Sequence, residues 1–417
     1  MNLAWISLGA LVVAVVVGII CRVNVGLLSF AAAFVVGTGF GNLRVSQVTV
    51  GFPTQLFLVL VAILLLFGQA QVNGTLNKLA RHSIRLARGN IGMVPILFFG
   101  LSVAIATLGG GNITAIALIA PVAMAAAGQM KINAFLMAIM VGNGCNAGAF
   151  SPIAPTGIVA NQLMAKAGIV GMEWQTYWNT FIVQSFVAFA GYFLLGGTKL
   201  LLRHERVDAA TQLPPEDLEP FTRSQWLTLG VLGAMLLAVI FLQTDVIVPA
   251  FVGIAILALT RAADPEAAIK AVPWGTVLMV CGVSTLVSLL EKTGGVNVIV
   301  DMLVKLSTPT SITGVIAFVS GISSAYSSTV GVVLPTFLPT VPGLAEQLGA
   351  DPMAIASSIN VGGHLVDVSP LSTIGAICLA STAANEDRQV LFNKLLVWGL
   401  SMAVVGAVVC WVFFGLL

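Results

Sequence analysis

The chain has 417 residues, 58% of them hydrophobic and only 8% charged, with a mean hydropathy of +1.03 and a net charge of +2. A soluble domain carries about 25% charged residues, so this chain cannot cover a solvated surface, and soluble enzymes and nucleic-acid binders are excluded. The small net charge also argues against a polyanionic partner.

Read in order, the first apolar run, 3–21, is about as long as one bilayer crossing, roughly 20 residues. It has no basic flank before it and no small-residue cleavage site after it, which predicts a retained span, not a signal peptide. Further apolar blocks follow at 25–42, 53–71, 93–127, 132–165 and 176–202. Between the third and fourth, Thr75 to Gly89 carries four basic residues among leucines at helical spacing. That pattern predicts an amphipathic helix on an anionic leaflet. A polar linker spans 206–223 and contains LPPEDLEP, Leu213 to Pro220. Six more blocks follow, at 225–242, 246–260, 273–290, 311–345, 352–381 and 390–416. The five cysteines (Cys21, Cys145, Cys281, Cys378, Cys410) are scattered through apolar sequence without metal-ligand spacing, and read as packing residues.

The second series of blocks repeats the first. WISLGAL at Trp5 returns as WLTLGVL at Trp226, an offset of 221. The block beginning at Pro53 returns at Pro273, offset 220, and Ser151-Pro152 returns as Ser369-Pro370, offset 218. These landmarks predict two repeats, 1–205 and 224–417. The fourth block of each has a polar or Gly-rich middle, ATLGGGNITA around Asn112 and SSAYSST around Ser327. Each reads as a re-entrant hairpin, the alternative being two short spans with a tight outer loop.

The predicted fold is therefore an all-α polytopic membrane protein with two repeats of five spans and one hairpin each. An odd number of spans inverts the second repeat, the architecture of secondary transporters. With both termini outside, only Arg44, Lys166, Lys292 and Lys305 of the 18 basic residues are extracytoplasmic, as the positive-inside rule requires.

The fifth block of each repeat is interrupted, by GNGCNAGAFSPIAPTG at Gly142 to Gly157 and NVGGHLVDVSPLSTIG at Asn360 to Gly375. Proline removes an amide donor, and a broken span aims a half-helix N-terminus, with its positive dipole end, at the midplane. Four polar clusters should then converge. The hairpin tips supply Gly110, Gly111, Asn112 and Thr114, and Ser327, Ser328 and Thr329. The breaks supply Asn143, Asn146, Ser151 and Thr156, and Asn360, Ser369, Ser372 and Thr373. No Lys or Arg lies in any cluster, so ligand charge must be balanced by helix ends, neutral donors or co-bound cations. Two ionisable residues do, His364 and Asp367, spaced i, i+3. Asp367 could take up a proton or neutralise a cation and His364 could donate to a carboxylate, or the two could simply pair to join helices. Asn112, Ala154, Ser328 and Asp367 are the candidates for sodium or proton coupling.

At these tips and breaks the chain resembles the ion transporter superfamily, and in particular the bacterial malonate/dicarboxylate carriers of the MatC type. The resemblance covers essentially the whole chain and is most specific in Met137 to Lys166 and in Ser323 to Gly343. The related divalent-anion/sodium symporters carry Ser-Asn-Thr at each hairpin tip; here the tips read Gly-Gly-Asn-Ile-Thr (Gly110 to Thr114) and Ser-Ser-Thr (Ser327 to Thr329). The resemblance implies a homodimer in the bacterial inner membrane and an elevator mechanism, in which a transport domain carrying hairpins and breaks moves against a scaffold of outer spans.

The expected function is a secondary active transporter importing a small dicarboxylate, malonate first and succinate second, with citrate or sulfate as alternative anions. The coupling ion is sodium or a proton, and no other cofactor is expected. An intramembrane enzyme lacks support: there are no paired catalytic carboxylates, no zinc-type His/Glu spacing and no Gly-x-Ser-x-Gly nucleophile. A channel is the remaining rival.

Overall fold

The computed structural model describes residues 3–21, 23–76, 78, 90–202, 220–242, 244–382 and 386–416. Among these the secondary structure is helical, without β-strands. The expected amphipathic helix at 75–89 and the linker at 206–223 lie almost wholly outside the described residues.

The first half runs α1 (Leu3–Cys21), α2 (Val25–Phe34), α3 (Val45–Thr49), α4 (Thr54–Val72), α5 (Met93–Ile105), α6 (Gly111–Gln129), α7 (Ala134–Ala149), α8 (Pro155–Lys166), α9 (Glu173–Leu194) and α10 (Gly197–Leu202). The second runs α11 (Arg223–Phe241), α12 (Ile247–Leu259), α13 (Pro265–Ala271), α14 (Trp274–Lys292), α15 (Gly295–Lys305), α16 (Ile312–Tyr326), α17 (Thr329–Leu348), α18 (Pro352–Leu365), α19 (Thr373–Ala380) and α20 (Arg388–Cys410). Six helical segments among the described residues are long and apolar enough to cross a membrane, as a polytopic membrane protein requires. Large apolar side chains such as Val13, Trp178, Phe186 and Leu259 stand half or more exposed on the outside. In a bilayer that surface faces hydrocarbon at no cost.

Two helices are made of apolar and small residues with only a few amides and one imidazole among them, and are accordingly central. α7 is buried along almost its whole length, enclosed by α5, α6 and α9. α18 is buried likewise, against α16, α20 and α9. The two halves also reach across to each other, with α2 packed on α14 and α12 on α4. At the first of these crossings the backbones meet: a Cβ on Gly26 would lie 2.2 Å from the Leu278 carbonyl oxygen, and one on Gly282 2.1 Å from that of Gly26.

The interruptions are narrower than the sequence suggests. α7 stays helical through Ala149 and α18 through Leu365, followed by one 3-10 turn, Val366–Val368. The glycines before the Ser-Pro pairs do not unwind the chain; they admit neighbouring helices. A Cβ on Gly148 would sit 2.5 Å from the Val103 carbonyl oxygen, and one on Gly362 2.4 Å from that of Ala317. Small residues let spans approach this closely. The breaks proper are confined to 150–154 and 369–372.

Candidate anion-binding site

Between α5 and α6 the chain turns on Gly109 and Gly111, whose φ values of 113° and 69° are ones L side chains rarely adopt. The turn abuts the first break, since a Cβ on Gly111 would lie 3.0 Å from Pro155 Cδ. Between α16 and α17 the corresponding turn is Ser327-Ser328, in extended conformation. The Ser328 hydroxyl accepts a hydrogen bond from Gly331 N at 3.0 Å and caps α17.

These tips border a cavity of about 450 Å³. Its wall combines Asn112 and Ile113 of α6, Ser327 to Val330, Asp367, Leu371 to Ile374, Met279 of α14, and Gly18 with Val23 to Val25 at the α1–α2 turn. The first turns of four helices therefore face it: α2 at Val25, α6 at Asn112, α17 at Thr329 and α19 at Thr373. Each helix start leaves amide N–H groups without an intrahelical partner and carries about half a positive charge. Ser372 does not cap α19; its hydroxyl instead reaches Asp367 Oδ1 at 3.3 Å. An anion fits this field.

Among the described residues Asp367 is the one charged side chain on the cavity wall. Its carboxylate is held by hydroxyls: Ser324 Oγ donates to Oδ1 at 3.0 Å, and Thr329 Oγ1 lies 2.9 Å from Oδ1 and 3.0 Å from Oδ2. Thr329 Oγ1 also lies 3.2 Å from the Gly363 carbonyl and 2.5 Å from Ser324 Oγ. Three hydroxyl hydrogens, on Ser324, Thr329 and Ser372, must serve six oxygen–oxygen contacts. The cluster is short of hydrogens, so an added proton or small cation would satisfy oxygens that the three hydroxyls cannot. Among the described residues no group of three His, Cys, Asp or Glu side chains could hold a metal ion by itself.

His364 stands behind Asp367, fully buried, with its ring edge-on to Phe150 at 4.6 Å between centroids. Its Nε2 is 4.0 Å from Asp367 Oδ2, beyond hydrogen-bond reach. A chain of amides ties this region to the first hairpin. Asn146 Nδ2 donates to the His364 carbonyl at 2.9 Å, and Asn112 Nδ2 donates to Asn146 Oδ1 at 3.1 Å. A carbonyl can only accept, so the direction of the whole chain follows from its anchor at His364.

The sixteen residues read as substrate contacts thus divide. Asn112, Ser327, Ser328, Thr329, Ser372 and Thr373 line the cavity. Gly110, Gly111 and Thr156 line a smaller void of about 30 Å³ at the first tip, closed by Leu60 and Leu64 of α4. Asn146 and His364 form the layer behind. Thr114, Asn143, Ser151, Asn360 and Ser369 are buried off the wall. Asn143 Nδ2 donates to the Ile139 carbonyl, and the Ser369 hydroxyl accepts from Leu371 N. Of the coupling candidates, Asn112, Ser328 and Asp367 reach the cavity, whereas the Ala154 carbonyl accepts Ile158 N at the start of α8. Sequence reasoning missed Ser324 and Asn24. Ser324 lay in a hydroxyl-rich tip already singled out, and Asn24 is a polar residue between two apolar runs, the signature of a helix cap.

Residues 1–149 match a protein family described as the dicarboxylate carrier protein MatC N-terminus. No curated protein matches the chain. Solved structures that resemble it over most of its length include two transport proteins. The Alcanivorax borkumensis YdaH transporter shares 17% identity at a TM-score of 0.58, covering 89% of this chain and 88% of that one. Neisseria gonorrhoeae MtrF, described with a class of antimetabolite efflux pumps, shares 14% identity at a TM-score of 0.54, covering 85% and 80%. At these identities the likeness speaks for the fold. Together the findings make this a transporter-like membrane protein whose N-terminal part matches the carrier family.

Proposed function

We propose that the protein is a secondary active transporter of small dicarboxylates, malonate first and C4 acids such as succinate second, coupled to sodium or protons. The observation that carries this reading is one cavity whose described wall combines four helix starts with a single hydroxyl-bound carboxylate, Asp367. Helix ends and neutral hydroxyls suit a carboxylate ligand. Asp367 repels the same ligand unless a proton or cation is present, so substrate and coupling ion bind best together. The volume lies at the lower end of small-molecule sites, roughly 300–1,000 Å³. The family match over 1–149 supports dicarboxylates over citrate or sulfate.

The parallel order of helices in the two halves supports a repeat, which an odd number of spans would invert, and the contrast between the 450 Å³ cavity and the 30 Å³ void at the other tip supports alternating access. We further propose an elevator-type motion, a homodimer in the bacterial inner membrane and extracytoplasmic termini. The deciding experiment is uptake of labelled malonate into proteoliposomes under an inward sodium gradient, an inward proton gradient, or neither, with succinate, citrate and sulfate as competitors. Saturable uptake driven by one gradient and inhibited by succinate is expected. Folded protein that takes up no malonate under any gradient overturns the assignment.

A further inference from the structure

Asn24 lines the cavity at the start of α2. Its Oδ1 accepts Gly26 N at 2.9 Å, and its Nδ2 donates to the Gly275 carbonyl at 2.7 Å, tying α2 to the start of α14. At the offset of 221 that relates Trp5 to Trp226, the corresponding residue is Asp245. Asp245 Oδ1 accepts Ile247 N at 2.9 Å, the same i to i+2 bond at the start of α12. The surroundings correspond as well: α2 packs on α14 and α12 on α4, and α14 and α4 each follow the equivalent prolines Pro273 and Pro53. The same structural part thus carries a neutral amide in one half and an exposed carboxylate in the other.

We infer that Asn24 and Asp245 give the two faces of the transporter different affinities for the anion, tighter where it meets the α2 cap and weaker where it meets the α12 cap. The inference rests on the alternating-access reading above, in which the cavity opens beside α2 in one state and beside α12 in the other. At the α2 cap the anion meets a positive helix end and a neutral amide. At the α12 cap the carboxylate offsets the same helix end and repels the substrate directly. Asn and Asp cap helices about equally well, so the difference does not serve folding.

The test measures half-saturation for labelled malonate from each face, in right-side-out and inverted membrane vesicles. Asp245→Asn, exposed and neutral for capping, is the deciding variant. It is expected to lower half-saturation by roughly three- to tenfold on one face only, an effect that shrinks at high salt. Asn24→Asp is expected to raise it on the opposite face, although it also loses the bond to Gly275. An unchanged pair of faces in folded, transporting Asp245→Asn overturns the inference, as does an equal shift on both. Wild-type protein that carries no malonate from either face refutes the proposed function instead, and the inference falls with it.

Discussion

One hydroxyl serves both oxygens of a buried carboxylate: Thr329 Oγ1 lies 2.9 Å from Asp367 Oδ1 and 3.0 Å from Oδ2. Thr329 opens α17 directly after the second hairpin tip, and Asp367 sits in the 3-10 turn ahead of the second break. The pair therefore joins the second hairpin to the segment around the second break, which together supply most of the cavity wall. Thr329→Val removes the donor while keeping the side chain's shape. A hydrogen bond to a charged group contributes about 1.5–3 kcal/mol, so malonate uptake should fall by roughly tenfold or more. Thr329→Ser should retain most of it. Equal uptake by Val and Ser variants, at equal amounts of folded protein, would show that the hydroxyl is dispensable.

Asp367→Asn tests coupling. The amide cannot neutralise a cation or take up the proton, yet it fills the same space and no longer repels the substrate. Whichever gradient accelerates uptake in the wild type should cease to do so, while exchange of internal for external malonate continues. If protons are the coupling ion, wild-type affinity should rise as pH falls, because protonation removes the like charge, and Asp367→Asn should lose that dependence. Gradient-driven uptake at wild-type rate in this variant contradicts the role.

Asn146 should behave as a strut. Asn146→Ala leaves Asn112 Nδ2 and the His364 carbonyl without the bonds that join them through its amide. Buried groups left unpaired cost about 1–3 kcal/mol. The expected outcome is a lower melting temperature together with weaker malonate binding, since Asn112 is freed on the cavity wall. A variant with unchanged melting and binding would place no weight on the chain.

Gly362→Ala probes packing without touching the cavity. The added Cβ would fall 2.4 Å from the Ala317 carbonyl oxygen, and overpacking of this kind costs about 1–3 kcal/mol. Thermal unfolding in detergent should begin several degrees lower. Gly349→Ala offers no comparable control, because Gly349 holds a φ of 64° with nothing near it and suffers backbone strain instead. Gly230→Ala, in open space, should melt like the wild type.

Composition and hydropathy alone established a polytopic helical membrane protein, because a chain with so few charges has no other stable solvent. The polar residues of the cavity wall stood out for the same reason: hydroxyls and amides at Asn112, Ser327 to Thr329 and Ser372 interrupt runs that otherwise bury only carbon. What local sequence could not decide is which of these residues share a space. Asn143 and Asn146 lie three residues apart on one helix, yet Asn143 bonds back to its own turn while Asn146 bridges to a carbonyl 218 residues away. Helical periodicity places side chains around an axis but does not say what packs against each side. The glycines of α7 and α18 are ambiguous for a related reason, since a glycine that unwinds a helix and one that admits a neighbour are identical in sequence. Only the close approach of α5 and α16 distinguishes them. The contribution of Asn24 depends likewise on α2 crossing α14 at Gly26 and Gly282, a contact between halves that no local pattern encodes.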